Sequence, residues 1–217
     1  QPGCDLLQSG LRMKHVAAVL LAVLALAGCA TKPEIARSDA ELRAAAYVHD
    51  GPPEITLFTM RAVRNGAGAH SALMVNASQR VIFDPAGSFR NQSIIRRGDV
   101  IYGAHPPLVD VFTRFHARET FYVERQRLPV SPQLAQALLR AVQANGRVSD
   151  AQCALSISRI LAQHSEFGIR PTWYPNALSD QFARIAGVQS DQLYEYDSDD
   201  NSAVLETYDA ARARAAQ

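Results

Sequence analysis

Between residues 54 and 128 the chain alternates short runs of β-forming residues with clusters of turn-formers. EITLFTMRAV (54–63) is rich in β-branched and aromatic residues and predicts a strand. The loop RNGAGA (64–69) leads into HSALMVN (70–76), and a short turn at 77–79 leads on to RVIFDP (80–85). These last two segments predict a hairpin. DVIYG (99–103) predicts a further short strand, and ETFYVERQRL (119–128) alternates as another. Between them, residues 107–118 set Leu108, Val111, Phe112 and Phe115 at helical spacing.

Beyond residue 128 the period changes to that of helices. Ser131 as N-cap, Pro132 at the first helical position and Gly146 just past the end bound one helix. A second is predicted over 150–163, with Ser149 and Gln152 at the spacing of a capping box. Residues 176–187 predict a third amphipathic helix. The tail, 188–217, is acidic around 195–200 and then Ala/Arg-rich, which predicts a loosely held helix.

Upstream, residues 29–53 read as a tether. They carry a short helix at 38–46 and end in the breaker run Asp50, Gly51, Pro52, Pro53, so the globular domain is expected over 54–187. Met13, Lys14 and His15 form a basic start, followed by an apolar run over 16–27. About 12 residues make a helix of ~18 Å, too short for a hydrocarbon core of ~30 Å. This fits a secretory signal over 13–28. The residues LAGC ending at Cys29 resemble the bacterial lipobox, in which the cysteine receives the lipid. That resemblance implies a membrane anchor on the N-terminal lipid, a periplasm-facing location in the bacterial envelope and, with Ala30 following, delivery to the outer membrane. An ordinary signal cleavage near Ala27 or Ala30 is the alternative. Residues 1–12, with Cys4, read as an extension upstream of the true start at Met13.

Composition narrows the function classes. Hydrophobic residues at 47% and charged residues at 20% exclude wholesale disorder. A net charge of +1 without a dense basic run gives no case for nucleic acid as a partner. There is no internal repeat, no phosphate-cradling glycine motif and no close set of metal ligands, so no cofactor and no metal are expected. Of three cysteines, Cys29 goes to the anchor and Cys4 to the extension, which isolates Cys153.

Cys153 is predicted within the first turn of its helix, where unpaired N–H groups and the dipole favour a thiolate and offer an oxyanion site. A buried cysteine is also a common small hydrophobe. His70 opens a predicted strand. If the hairpin turns at 77–79, Ala72 lies opposite Asp84, which puts Asp84 diagonal to His70 on one face, ~7–8 Å away by backbone. A carboxylate on one imidazole nitrogen leaves the other to activate a thiol. Small Ala72 would let the cysteine helix approach. Asp84 before Pro85 also suits an Asx turn, and a one-residue slip would turn it away. His116, with Asp110 or Glu119 nearby in sequence, is the rival base. His15 and His49 lie outside the domain, His105 abuts two prolines, and His164 sits near a helix end. Gln152 is a weak oxyanion candidate that capping explains equally well. Trp173 and Tyr174 could line a pocket or pack in the core.

Histidine on a strand, an acid on the next strand and a later cysteine at a helix start resemble the circularly permuted papain-like hydrolases of the NlpC type. The matching pieces are GAHSALMV with His70, RVIFDP with Asp84, and DAQCALSISRIL with Cys153, over about 54–187. The resemblance implies an α+β fold, with a cysteine-bearing helix packed on an antiparallel sheet that carries the histidine. It implies Cys153 as nucleophile, His70 as general base then acid, and Asp84 as its orienter. It also implies hydrolysis or transfer at an amide or ester: a cell-wall peptide as leading substrate, a lipid or acyl ester as the alternative. A non-catalytic envelope binding protein stands as a different class. The sequence leaves the oligomeric state unknown.

Overall fold

The computed structural model describes residues 36–215. The upstream extension with Cys4, the signal segment and Cys29 lie outside them. Seven strands form one antiparallel sheet: β1 (Glu54–Ala62), β2 (Gly68–Asn76), β3 (Arg80–Phe83), β4 (Arg96–Arg97), β5 (Val100–Ile101), β6 (Phe121–Pro129) and β7 (Gln189–Leu193), in the order β4-β5-β3-β2-β1-β6-β7. The helices are α1 (Asp39–Ala45), α2 (Pro106–His116), α3 (Pro132–Ala144), α4 (Cys153–Leu161), α5 (Pro175–Phe182) and α6 (Ser202–Ala215). The fold is α+β.

Side chains on successive strand residues point to opposite faces, and here both faces are covered. Ile55, Leu57, Leu73, Val75, Val81 and Phe83 pack with α3, α4 and α5 through Leu138, Ala154, Ile157, Leu178 and Phe182. Phe58, Met60, Ala72, Met74 and Ile82 pack with Leu108, Phe112 and Phe115 of α2 and Tyr208 of α6. Double coverage explains why β1 and β2 carry long apolar runs instead of a clean alternation. No helix among the described residues is long and apolar enough to cross a membrane.

The hairpin register pairs Leu73 with Phe83 and Met74 with Ile82, the parity the sequence predicts, but the ladder stops there, one residue short of the expected Ala72–Asp84 pair. Ala72, however, faces the α2 layer with Met74 and Phe112, so its small size does not admit the cysteine helix. That helix lies on the other face. The capping box at Ser149 and Gln152 does not form: Gln152 is the N-cap of α4 without a side-chain bond. Ala151 at φ 63° bends the chain there, and Gln152 N–H donates to Ser149 O at 3.3 Å. The helix therefore starts at Cys153, three residues later than the periodicity predicts.

The domain also reaches beyond 54–187. Ser38 and Glu41 form a capping box on α1, and Leu42 is buried in the core, so residues 38–45 are not tether. Behind 187, β7 pairs with β6 from Val123↔Leu193 to Arg127↔Gln189. As an edge strand with exposed side chains, QSDQL carries no apolar signature. Farther on, α6 closes the α2 face through Tyr208, which is 5% exposed.

Candidate active site

β2 runs on past the last β2–β3 pair, Leu73↔Phe83, to Gly68. Beyond Phe83 the chain turns away, with Asp84 N–H donating to Asp99 O at 2.8 Å. The free edge of β2 receives the start of α4 instead, where the Ser71 N–H favours the charged form of the Cys153 thiol. Where a neighbouring strand stops, a thiol takes its place.

There the structure brings three of the sequence-predicted residues together. His70 Nε2 lies 2.8 Å from Asp84 Oδ1, and Cys153 is close enough to the His70 ring for each to favour the other's charged form. With Nε2 committed to Asp84, Nδ1 is the nitrogen left for sulfur. Cys153 is 5% exposed and Asp84 fully buried; the His70 side chain keeps 18% exposure.

Burial and charge pull against one another in all three groups. Burial alone would lower the His70 pKa, but Asp84 and Cys153 outweigh it and raise it from 6.5 to about 10. Burial would raise the Cys153 thiol, yet the His70 hydrogen bond and charge, with the N–H groups of Ser71 and Ala154, bring it below its ordinary value. Asp84 likewise resists its burial through His70, then His116 and Arg96, and is held below the usual carboxylate range. Each group thus favours the charged form of the other, thiolate beside imidazolium.

His116, the rival base, belongs to the same cluster. Its ring stacks on His70 with centroids 6.0 Å apart and planes 20° apart. Nδ1 donates to Phe112 O at 2.8 Å, while Nε2 is buried without a partner among the described residues. Burial, and next to it the His70 charge, push its pKa down to about 4, so it is a neutral neighbour of an imidazolium. Neither Asp110 nor Glu119 contacts it: Asp110 pairs with Arg114 at 3.2 Å. Donor atoms of His70, Asp84 and His116 lie within 4.8 Å of one another, a set that could hold a metal ion. The sequence shows no such set because β2, the turn after β3 and the end of α2 supply one residue each.

Gln152 lines a separate polar hollow with Ser149, Ser156 and Arg159. The donors at the sulfur are main-chain N–H groups, so its candidacy as oxyanion donor finds no support in its position. Trp173 and Tyr174 are exposed, at 53% and 72%. His105 caps α2, with Nδ1 accepting from Leu108 N–H at 3.2 Å.

Supporting residues went unseen in the sequence. Asp99 is 1% exposed; its Oδ2 accepts from Ala86 N–H at 3.1 Å and from Val148 N–H at 2.8 Å. It thereby ties the turn after Asp84 to the approach of α4. Arg96 stands 3.3 Å from Asp99 and 3.9 Å from Asp84. A Cβ on Gly87 would overlap the Asp84 carboxylate, so glycine is required there. The run DPAG marks a turn but carries no sign of this contact.

A cavity of about 380 Å³ opens beside the histidines, lined among others by Met60, His70, Gly87, His116, Arg118 and Asn201. Its volume lies in the range of small-molecule pockets.

Comparison with protein-family models, with curated proteins and with solved structures finds no match for this chain.

Proposed function

We propose that this chain is a thiol hydrolase of the permuted papain-like, NlpC type, acting on an amide bond. The observation that carries the reading is the contact chain Asp84–His70–Cys153, with the sulfur at the start of a helix. The thiolate attacks the substrate carbonyl, and N–H groups of the first α4 turn receive the developing oxyanion. The His70 imidazolium then gives its proton to the leaving amine, so that the C–N bond breaks and a thioester remains. Neutral His70 next takes a proton from water, whose oxygen attacks the thioester and releases the acid and the thiolate. Asp84 holds the ring orientation and stabilises its charged form.

The lipobox-like LAGC segment supports placing this chemistry on a lipid anchor in the bacterial envelope, facing the periplasm at the outer membrane. Cell-wall peptide is the nearest amide substrate there.

The test is alkylation of Cys153 as a function of pH. At pH 6 an ordinary thiol of pKa ~8.5 is roughly 0.3% ionised, so the ion pair is expected to make Cys153 about 10²-fold faster than free cysteine. His70→Ala should abolish that advantage, and Asp84→Asn should shift the profile toward an ordinary thiol. A Cys153 that titrates near 8.5 in the native chain would refute the hydrolase reading.

A further inference from the structure

The cluster of His70, Asp84 and His116 has two ligand atoms that the mechanism above leaves idle. His116 gives its Nδ1–H to Phe112 O at 2.8 Å, which fixes the tautomer and leaves a lone pair on Nε2. That nitrogen is buried and has no hydrogen-bond partner among the described residues. Asp84 spends Oδ1 on His70, while its Oδ2 is buried and unpartnered in the same way. Arg96 stands 3.9 Å from Asp84, beyond hydrogen-bond reach, and pairs more closely with Asp99 at 3.3 Å. Buried acceptors without a donor are costly and rare in folded proteins. Two of them in one cluster call for a cation.

The spacing suits a metal ion. One ligand atom from each of the three residues lies within 4.8 Å of the other two. Atoms so spaced share a point no more than about 2.8 Å from each, against ~2.0–2.2 Å for zinc bonded to imidazole nitrogen or carboxylate oxygen. Small side-chain shifts close that gap. The outer contacts are also in place, because a metal-bound histidine characteristically donates its other ring N–H to a carbonyl or carboxylate. His116 does so already through Phe112. Two imidazoles and one carboxylate suit a divalent first-row ion, and zinc takes such a set with water in the fourth position. His70 and His116 both line the cavity of about 380 Å³, and the His70 side chain keeps 18% exposure. Ion and water therefore have a way in along that ring, to ligand atoms that are themselves withdrawn from solvent.

We propose that His70, Asp84 and His116 form a binding site for a divalent transition-metal ion of the zinc class. The site goes beyond the hydrolase reading and does not depend on it. The two bear on each other at one atom: a ring metallated at Nε2 cannot be the imidazolium that protonates a leaving amine.

The full chain, stripped of metal with a chelator, is titrated with zinc sulfate in a calorimeter. One equivalent is expected to bind. X-ray absorption at the zinc edge should then show a first shell of nitrogen and oxygen only, with imidazole scattering. His116→Phe keeps a ring in place but offers no lone pair, and it should weaken binding by about 10²-fold or more. His70→Ala should do the same and reads the same site if His116→Phe fails to fold, which its metal-free melting curve reports. Cys153→Ala should bind zinc as tightly as the native chain. Absence of binding would overturn the proposal. So would a sulfur shell at ~2.3 Å or loss of binding in Cys153→Ala, either of which would put the ion on a thiol. Unchanged affinity in a folded His116→Phe or His70→Ala would mark an adventitious ion only and overturn it as well. Alkylation of Cys153 in the metal-free chain is read separately. Slow labelling defeats the hydrolase and leaves the metal site standing, whereas fast labelling without zinc binding defeats only the metal site.

Discussion

Two stacked histidines in this molecule hold opposite protonation states, and the sign of their pH effects follows. His116 titrates at about 4 in the folded chain against 6.5 without its surroundings. Between those values the unfolded chain binds the extra proton, so stability falls as pH drops through that window, by up to about 3 kcal/mol from this residue. His70 runs the other way. Raised to about 10, its contribution is complete below 6.5 and is lost as pH rises through about 10. Urea denaturation of His116→Phe should therefore show a flatter decline between pH 6.5 and 4 than the native chain, with the alkaline limb unchanged. An acid limb as steep as the native one would mean that His116 is charged in the fold. At this scale the pairing of His70 with Asp84 was legible in the sequence, since hairpin parity puts both on one face. Arg96, Asp99 and Gly87 were not, because their role depends on how the loop after Asp84 folds back.

The chain segments that carry Asp84 and Cys153 each pass through a left-handed residue. Ala86 at φ 59° follows Asp84 by two positions, and Ala151 at φ 63° precedes Cys153 by two. An L-residue there costs roughly 1–2 kcal/mol, and glycine loses about 0.5–1 kcal/mol more than alanine on folding. The strain is the larger effect, so Ala151→Gly is expected to raise stability by about 0.5–1 kcal/mol in denaturant titration. A net loss would show that the alanine methyl makes a contact worth more than the strain. The same bend explains why the start of α4 was misplaced. Ser149 and Gln152 have the right spacing for a capping box, but spacing does not reveal that the intervening residues leave the helical path. The helices flanked by Ser131–Pro132 and by Ser38–Glu41 were legible because their caps form locally.

In the whole molecule, the segment after β7 does more than trail. Asp199 and Asn201 line the cavity, and Asn201 Nδ2 donates to Phe115 O at 3.2 Å. Tyr208, with Val204 and Leu205 beside it, packs on the α2 cluster. Asn91 Nδ2 reaches Asp209 at 3.0 Å, and Arg212 donates to Ser93 O at 2.7 Å. A chain ending at residue 196 should lose on the order of 4 kcal/mol, from the apolar area of these three side chains. It should also lose the acidic edge of the cavity. A urea midpoint equal to that of the intact chain would show that α6 contributes nothing to the fold.

Local pattern determined what local forces decide: strand and helix periods, hairpin parity, proline and serine caps, and the singling out of Cys153, His70 and Asp84. It could not decide how far the domain extends, because β7 and α6 gain their stability from β6 and α2 and carry little apolar signal of their own. Nor could it place Cys153 at the open edge of β2 or set His116 over His70. Each of those is a meeting of residues distant along the chain, fixed by packing on the two faces of one sheet.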